Sequence, residues 1–508
     1  MIILLLATLA STIFVSACLD RLAQPTKFTH PNKRCRGAWL PGIPFRLLAI
    51  TFLFGCFLTL TGRSTGAGVL TVVIVGLLVL GSNLKRGLLG EPLLFSDAAV
   101  IKTCFQHPRF YVSALTFPAR IFVLLSIFLV TASIIVLFFI DIFYFINNKC
   151  STFILRFIGI SIALVSWLLL KLLGHIGLSH RLMPVPDCDQ AIPVHGFLAT
   201  TAMSWLQWEH QRRNILPSHP PLDLKRGYDA PRIKRPIVVV VQCESFADPE
   251  NFGIPGTAAP RLPNLERTCR TAQQHGRLYM SGFGAYTMRT EYGVLFGHDE
   301  DALGFRRFDP YLSVQSQYRD ALPSRLSRAF DRRIFVHPHD LRFYGRDRLM
   351  PAAGFNEVLG DDAFTGAQTC GPHISDHELG QRLTHLIGEA VQRNESTFIF
   401  AVSIENHGPW PEGISGYLEH LMHGDAMLGT IHGCLEQSGH PAVLAFYGDH
   451  RPAIPDAVTP NGERHTPYLV CEFGSHALLS NTERDMTPAA LHHAIFEAAL
   501  RAIDRTIS

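Results

Sequence analysis

The chain has 508 residues, of which 47% are hydrophobic and 17% are charged, and its mean hydropathy is positive. This balance is too apolar for an ordinary soluble protein, and the length is sufficient for more than one domain. The formal net charge of +3 is too small to indicate a nucleic-acid partner, and many basic residues flank apolar runs, as at membrane edges. The 11 cysteines include no CxxC pair, so they indicate neither a zinc ribbon nor a dense disulfide scaffold.

Long apolar runs dominate residues 1–177 and predict an all-α transmembrane bundle of about five helices. The candidate spans are residues 1–17, 45–60, 67–80, 119–146 and 153–173. A span needs roughly 20 apolar residues, and the last two candidates supply them. The second and third are shorter, so we predict a tight hairpin between them at residues 62–66. The first lacks a charged leading segment and a small-residue cleavage site, which favours a retained span over a signal peptide.

The orientation of this membrane domain can be predicted from charge. Basic residues are concentrated between residues 21 and 36 and between residues 85 and 109. Positive-inside counting places both loops in the cytoplasm, and with five spans it also places the C-terminal half there. One span more or fewer reverses this prediction.

Residues 178–235 form a predicted connector with several prolines and a basic run at its end. An amphipathic interfacial helix near residues 202–213, carrying Trp205 and Trp208, is one interpretation. A linker that covers the membrane face of the following domain is the other, and the sequence leaves both open.

From residue 236 the pattern changes to that of a globular α/β domain, which we predict over residues 236–508. Short, continuous apolar runs cover residues 237–242, 333–337, 398–404, 442–447 and 468–471. Such runs are typical of parallel strands that are buried on both faces. Helical segments at 378–392 and 420–436 alternate with them, so we predict a mostly parallel sheet.

Ionisable or polar residues follow four of these strands. They are Glu244 with Ser245, His337 with His339 and Asp340, Glu405 with Asn406 and His407, and Asp449 with His450. In open α/β sheets the functional site lies beyond the carboxyl ends of the strands. We therefore expect the four groups, with His337 among the substrate-binding residues, to converge on one cleft.

Two carboxylates and one imidazole in this set can hold a divalent metal. Glu244 and Asp449 offer oxygens and His450 offers nitrogen, a mixture that suits Mn²⁺ or Zn²⁺. Each residue alone is more readily explained as a cap or a surface group. Because such residues follow four of the predicted strands, a shared metal site is favoured over four unrelated caps or surface groups.

A nucleophile can come from the segment 281–292, SGFGAYTMRTEY. Two glycines precede Thr287, and a helix beginning there beside a metal would favour the alkoxide of its hydroxyl. Such an oxygen can attack phosphorus and hold a covalent intermediate. Thr290 and Ser245 compete for this role, and Thr287 can instead be a simple helix N-cap. Composition alone does not choose among them.

Residues 236–473 resemble the sulfatase-like catalytic domain of lipoteichoic acid synthases and related phosphoglycerol transferases, in the alkaline phosphatase superfamily. The motifs that carry the resemblance are Cys243-Glu244-Ser245, Thr287 followed by Glu291 and Tyr292, Tyr344-Gly345-Arg346-Asp347, Asn406-His407, and Tyr447-Gly448-Asp449-His450. The resemblance implies a sulfatase-like fold with a mostly parallel sheet.

The resemblance also implies roles for individual residues. Thr287 becomes the nucleophile and, together with Glu244, Asp449 and His450, a metal ligand. His407 contacts the substrate phosphate and is a candidate proton donor. In the motif at residues 344–347, Arg346 binds the phosphate. Tyr344 occupies a position where the family usually has Trp, so this part of the substrate pocket departs from the family pattern.

The implied function is a transferase of the bacterial cell (inner) membrane with an extracytoplasmic catalytic domain, against the charge count. One divalent ion is expected, with Mn²⁺ favoured and Zn²⁺ or Mg²⁺ as alternatives. Thr287 would take a phosphoglycerol group from a phospholipid donor, with phosphatidylglycerol favoured, and pass it to a glycan or polymer acceptor.

Three other functions are alternatives to this one. A phosphoethanolamine transferase on the same scaffold resembles zinc enzymes with several disulfides, and five cysteines without close pairs in the polar half argue against it. A sulfatase or phosphodiesterase lacks support because no C/S-x-P-x-R motif occurs at the nucleophile loop. A non-catalytic membrane sensor or scaffold should have lost one of the four metal-site residues, and none is lost.

Overall fold

The computed structural model describes residues 1–25, 42–98, 149–214, 216–219, 234–252, 259–455, 457–460, 463–474 and 481–505, with a few scattered residues between 121 and 136. The chain divides into two compact units, Met1–Asn214 and Ile215–Ser508.

The first unit is helical. Its helices are α1 (Ile2–Asp20), α2 (Ile43–Thr61), α3 (Ser64–Leu89), α4 (Lys149–His175), α5 (Leu178–Leu182), α6 (Cys188–His195) and α7 (Phe197–Gln211). Among the described residues, α1 to α4 are each long and apolar enough to cross a membrane. Four of the five predicted spans coincide with them, and the one at 119–146 lies largely outside the described residues. The third is longer than predicted, because α3 continues through polar residues to Leu89.

The predicted hairpin between the second and third spans is present. Helix α2 ends at Thr61, Gly62 takes a left-handed conformation with φ 64°, and α3 begins at Ser64. Glycine suits this position because it adopts a positive φ without the steric cost of a Cβ atom.

Small residues allow α2 and α4 to pack closely. A Cβ atom at Gly55 would lie 2.6 Å from the Ala163 nitrogen, and one at Gly159 would lie 2.5 Å from the Thr59 nitrogen. Close backbone approach at glycine is a common way for membrane helices to associate, since the lipid provides no hydrophobic drive between them.

The predicted connector contains more structure than its prolines indicated. Helices α5 to α7 belong to the first unit, and the Leu198 backbone N–H of α7 donates to Asp20 at the end of α1 at 2.8 Å. Asp20 also pairs with Arg46 of α2 at 3.5 Å, and the rings of Trp205 and Trp167 lie 4.8 Å apart. Residues 178–211 are therefore part of the helical unit. Residues 220–233, with most of the basic run, lie outside the described residues.

The second unit is built on an eight-stranded sheet, with a separate two-stranded hairpin. The strands are β1 (Ile237–Cys243), β2 (Gln274–Tyr279), β3 (Arg332–Val336), β4 (Glu357–Leu359), β5 (Thr369–Cys370), β6 (His373–Ile374), β7 (Thr397–Val402), β8 (Ala442–Gly448), β9 (His465–Phe473) and β10 (Thr482–Glu483). The sheet order is β10-β2-β9-β8-β1-β7-β3-β4, and β5 pairs with β6 alone.

The predicted parallel core of the sheet is confirmed. Strand β1 lies at its centre and pairs in parallel with β7 and β8, and β3 continues the parallel set beyond β7. The last predicted strand, at residues 468–471, differs from the prediction in two ways. The observed strand β9 is longer, and it runs antiparallel to β8 and β2.

Helices cover both faces of the sheet, as the continuous apolar runs require. They are α8 (Pro263–Thr271), α9 (Thr287–Phe296), α10 (Glu300–Leu303), α11 (Leu322–Arg325), α12 (Arg346–Ala352), α13 (Asp376–Arg393), α14 (Ile414–Ser438) and α15 (Pro488–Asp504). Along β1, Val238 and Val240 join the core that contains α9 and α15, whereas Val239 and Val241 join the core that contains α13 and α14.

Candidate active site

The site begins at the end of β1, where register brings two carboxylates together. Cys243 pairs with Gly448 across β1 and β8, so the next residues, Glu244 and Asp449, are neighbours. A Cβ atom at position 448 would collide with the carbonyl oxygen of Phe246, so the close approach of the segment after β1 to the end of β8 requires glycine. The Ser245 N–H donates to Asp449 Oδ1 at 2.8 Å and holds that carboxylate in place.

Glu244, Asp449 and His450 form one buried group. Their potential ligand atoms all lie within 4.8 Å of one another, and His450 Nε2 is 3.4 Å from Glu244 Oε1 and 3.4 Å from Asp449 Oδ2. The structure thus brings together the three residues that the sequence predicted as a metal site.

The chemistry of this group fits a cation. His450 Nδ1 lies 3.2 Å from the Arg451 carbonyl oxygen, so it carries the proton and turns the Nε2 lone pair towards the carboxylates. Asp449 Oδ2 is buried and has no hydrogen-bond partner among the described residues. Burial and the nearby Asp449 carboxylate raise the pKa of Glu244 well above its usual value. Buried negative charge of this kind requires a partner, and a divalent ion would supply it.

Thr287 lies at the edge of the group. It is the first residue of α9, and its Oγ1 donates to Glu244 Oε2 at 3.5 Å. The helix start that the sequence suggested is therefore present. The preceding residue, Tyr286, has φ 70°, a conformation that costs about 1–3 kcal/mol for a non-glycine residue and often occurs at functional sites.

The two competing hydroxyls make shorter hydrogen bonds than Thr287 and belong to more deeply buried residues. Thr290 Oγ1 donates to the Asp449 carbonyl oxygen at 2.8 Å, and Ser245 Oγ donates to Glu244 Oε1 at 3.1 Å. Thr290 and Ser245 are each 1% exposed, whereas Thr287 is 8% exposed. Thr287 is therefore the most exposed of the three residues.

Arg346 has a partner that the sequence analysis did not assign to it. Its Nε and Nη2 donate to the two oxygens of Glu291 at 3.0 and 2.5 Å, and both side chains are buried. Tyr311 donates to the same carboxylate at 2.5 Å. Arg346 nevertheless lies close enough to Glu244 to oppose the rise in its pKa. The guanidinium is thus held beside the buried group in a fixed orientation.

Tyr344 lies against this arginine. The Arg346 guanidinium carbon is 5.2 Å from the centre of the Tyr344 ring, and Tyr344 has φ 58°. A cation above an aromatic face is a favourable arrangement.

Four imidazoles are adjacent to one another near the site. The rings of His337 and His339 stack at 5.7 Å, and those of His373 and His407 meet edge to face at 5.7 Å. Nδ1 of His337 lies 2.9 Å from the Val402 carbonyl oxygen, and that of His407 lies 2.7 Å from the Gly408 carbonyl oxygen.

Burial is the main cause of the low pKa values of these imidazoles. It lowers the pKa of His337 well below its usual value, that of His373 to about 3, and that of His407. Neutral rings hydrogen-bonded through Nδ1–H, as in His337 and His407, leave Nε2 as an acceptor. The cluster therefore offers hydrogen-bonding groups rather than fixed positive charge.

Several of these neighbours leave no signal in the sequence. The four-residue spacing from Thr287 to Glu291 places both on one helix, but nothing in the sequence links Glu291 to Arg346, 55 residues away. His373 lies on a two-residue strand, which has no apolar run to signal it.

Comparisons with known proteins agree with this layout. A family model described as Sulfatase matches residues 236–499. The capsular polysaccharide biosynthesis protein RkpI of Rhizobium meliloti (strain 1021) is 29% identical over 478 residues, which cover 89% of this chain and 86% of that protein.

Two solved structures are also similar. The integral membrane lipooligosaccharide phosphoethanolamine transferase A from Neisseria meningitidis is 12% identical, with 92% of this chain and 96% of that chain covered and a TM-score of 0.49. The Streptococcus pyogenes phosphoglycerol transferase GacH, in complex with sn-glycerol-1-phosphate, is 20% identical, with 60% and 83% covered and a TM-score of 0.42. The matched family interval, 236–499, contains every predicted site residue.

Proposed function

The chain belongs to the sulfatase family, and we propose that it is a membrane-bound, metal-dependent transferase that moves phosphoglycerol from phosphatidylglycerol to a cell-envelope glycan. The observation that carries the proposal is the position of Thr287. Thr287 is the first residue of a helix, lies beside three buried side chains that could hold a metal ion, and is more exposed than Thr290 or Ser245.

Glu244, Asp449, His450 and Thr287 are the residues that would hold the ion. Three oxygen donors and one nitrogen favour Mn²⁺, with Zn²⁺ or Mg²⁺ as alternatives. When bound, a divalent cation would favour the Thr287 alkoxide and stabilise negative charge on the phosphoryl oxygens.

The proposed reaction has two half-reactions with Thr287 and His407 in the catalytic roles. In the first, Thr287 Oγ1 forms a bond to phosphorus, the bond from phosphorus to the diacylglycerol oxygen breaks, and that oxygen takes the proton that Thr287 loses. His407 Nε2 carries the proton, since its Nδ1 is committed to the Gly408 carbonyl. In the second, an acceptor hydroxyl displaces Thr287 from phosphorus, and the proton returns by the same path.

Arg346 and His337 are proposed to bind the substrate. Arginine has five N–H donors, and Glu291 occupies two of those of Arg346, so the others can reach phosphate oxygens. The ion pair with Glu291 fixes the guanidinium before substrate arrives, which reduces the cost of ordering it.

Phosphoglycerol is favoured as the transferred group by the imidazoles and Tyr344. Neutral imidazole and phenol groups suit the hydroxyls of glycerol, whereas the ammonium of ethanolamine calls for a carboxylate or an aromatic cage. The five cysteines of the catalytic unit are all free thiols: Cys243, Cys269, Cys370, Cys434 and Cys471. This also disfavours the disulfide-bearing phosphoethanolamine alternative.

A glycan is the proposed acceptor, and the extracytoplasmic face of the bacterial inner membrane is the proposed location. The name of the relative RkpI concerns capsular polysaccharide biosynthesis, which supports an envelope glycan. The apolar helices α1 to α4 would tether the catalytic unit to the membrane that contains its lipid donor.

Mass spectrometry of the full-length protein, after incubation with phosphatidylglycerol and Mn²⁺ but without acceptor, tests this function. We expect one glycerol phosphate group on the peptide that contains Thr287. Thr287→Ala should lose the adduct and reduce turnover by about 10³-fold or more, as expected for a lost nucleophile. Thr290→Ser, which keeps a hydroxyl that can donate to Asp449, should form the adduct as the wild type does.

Two results would overturn parts of the proposal. Full transferase activity in Thr287→Ala would exclude the covalent mechanism. An ethanolamine phosphate adduct formed from phosphatidylethanolamine, with none from phosphatidylglycerol, would replace the proposed donor by the alternative one.

A further inference from the structure

A second cluster of metal-binding side chains lies in the catalytic unit and shares no residue with the Glu244 group. It borders a cavity of about 350 Å³ whose lining includes Cys370, Glu405, His423, Ser375 and His377. Atoms of Cys370, Glu405 and His423 that could bind a metal all lie within 4.8 Å of one another.

The detailed contacts add a fourth donor. His423 Nδ1 is 2.5 Å from Glu405 Oε1, and His420 Nε2 is 3.5 Å from the sulfur of Cys370. His420 Nδ1 lies 3.0 Å from the Glu405 carbonyl oxygen. That contact places the proton on Nδ1 and turns the Nε2 lone pair towards Cys370, as metal-binding histidines are commonly oriented.

The fold explains why these residues meet. His420 and His423 are three residues apart on α14 and so share a helix face. Glu405 follows β7, and Cys370 comes from the β5–β6 hairpin. Three separate elements therefore contribute side chains to the cluster.

Buried negative charge supports a cation here. Glu405 is fully buried, and its Oε2 accepts the Asp376 N–H at 2.5 Å. The side chain of Asp376 is 1% exposed, and its Oδ1 has no hydrogen-bond partner among the residues that the structure describes. Two neighbouring buried carboxylates are costly unless positive charge compensates them.

We propose that Cys370, Glu405 and His423, with His420 as the fourth ligand, bind a structural Zn²⁺ ion. Zinc is typically four-coordinate with sulfur, imidazole and carboxylate ligands, and a thiolate favours it over Mn²⁺. The side chain of His423 is 44% exposed, which gives an ion a route of entry. The Glu244 group has no sulfur, so the two sites differ in the metal they prefer.

The site has a consequence for the active site. Glu405 is two residues from His407, and Cys370 pairs across the hairpin with His373, whose ring packs on His407. An ion bound to Cys370 and Glu405 would therefore fix both segments that position His407. This positioning role rests on the proposed function, whereas zinc binding does not.

Metal analysis of the full-length protein, purified in detergent, tests the site. The wild type should contain about one zinc ion that Cys370→Ser and His423→Ala lack. Cys434→Ser and His385→Ala are matched controls, since Cys434 lies on α14 about 16 Å from His423 along the helix and His385 is exposed on α13. Both controls should keep the ion, and so should Glu244→Gln.

Cobalt substitution identifies the ligand directly. Protein stripped of metal and titrated with Co²⁺ should show thiolate-to-cobalt charge-transfer absorption in the wild type and Cys434→Ser, but not in Cys370→Ser. Cys370→His should bind zinc without that absorption, which separates a lost ligand from a misfolded chain. No such absorption in the wild type, or equal absorption in Cys370→Ser, would overturn the site and leave a hydrogen-bonded cluster.

The positioning role is measured separately. We expect Cys370→Ser to slow formation of the Thr287 adduct by roughly 10- to 100-fold, since small displacements of catalytic groups have effects of this size. Cys370→His should restore most of the rate. Zinc binding without any transferase activity would disprove the proposed function and leave the zinc site standing, whereas an unchanged rate in zinc-free Cys370→Ser would overturn the positioning role.

Discussion

Arg346 shows how a residue can be identified in sequence while its surroundings remain hidden. Through the family resemblance, the Tyr344-Gly345-Arg346-Asp347 motif implied that Arg346 binds phosphate. The structure adds that Glu291 holds the guanidinium through two hydrogen bonds. The location of residues at strand ends could be predicted, because a residue that follows a parallel strand lies at the carboxyl edge of the sheet. This pairing could not, because it joins side chains of α9 and α12 that are 55 positions apart in the chain.

The Arg346–Glu291 pair gives a prediction for stability. Arg346→Ala would leave Glu291 buried without its charge partner, which costs about 3–5 kcal/mol, so the thermal midpoint of the catalytic unit should fall substantially. Arg348→Ala is the matched control, since Arg348 is two residues away and 89% exposed, and it should leave the midpoint nearly unchanged. Similar midpoints in both variants would show that the buried pair contributes little.

Arg346→Lys tests the catalytic role of the same residue. Lysine keeps the positive charge but cannot reproduce the bidentate contact with Glu291, so the charged group should no longer be held in a fixed position. We expect formation of the Thr287 adduct to slow by about 10²-fold, the usual effect of removing one donor that stabilises developing charge. A rate near that of the wild type would show that orientation of the guanidinium is unimportant.

At the scale of elements, the length of an apolar run decided what could be predicted. Strands β1, β7 and β8 are mostly apolar and buried along their whole length, the last three residues of β3 are apolar and buried, and all four strands were predicted. Strand β2 is mostly polar, and only one of its six residues is buried. Strands β5 and β6 have two residues each. None of the three strands therefore contains an apolar run that would predict it. Strand β9 runs antiparallel to β8 and β2, and its apolar residues carry no sign of this direction.

The contact between β1 and β8 gives a prediction at this scale. In Gly448→Ala the new methyl group would collide with the Phe246 carbonyl oxygen, so the segment that follows β1 must move and displace Glu244 relative to Asp449. We expect Mn²⁺ affinity, measured by calorimetry on the full-length protein, to fall by roughly tenfold or more.

Gly433→Ala is the control for that substitution. Gly433 is a helical glycine on α14 with no other group within 4 Å of an added Cβ atom. Alanine there should raise stability by about 0.5–1 kcal/mol and leave metal affinity unchanged. Unchanged Mn²⁺ affinity in Gly448→Ala would mean that the strand ends do not set the metal site.

At the scale of the whole molecule, charge and chemistry make opposite predictions about which side of the membrane the catalytic unit occupies. Positive-inside counting over five spans places it in the cytoplasm. The proposed acceptor, an envelope glycan, places it outside. The alternation of short apolar runs with helical segments predicted the mostly parallel sheet, because burial on both faces of a strand shows in its sequence. The side of the membrane on which the catalytic unit lies depends on whether the number of spans is odd or even. One marginal segment, counted as a span or not, reverses that prediction.

Labelling of one surface position resolves this conflict. Arg348→Cys places a thiol where the native side chain is 89% exposed, in a unit whose own cysteines are buried or partly buried. A membrane-impermeant maleimide, applied to cells whose outer membrane alone is permeabilised, should label this variant above the wild-type background. Lysed cells give the maximum labelling. A cytoplasmic protein with an accessible thiol should stay unlabelled before lysis, which verifies that the inner membrane is intact. Labelling only after lysis would place the unit in the cytoplasm, where no envelope glycan could reach Thr287, and the proposed acceptor would have to be abandoned.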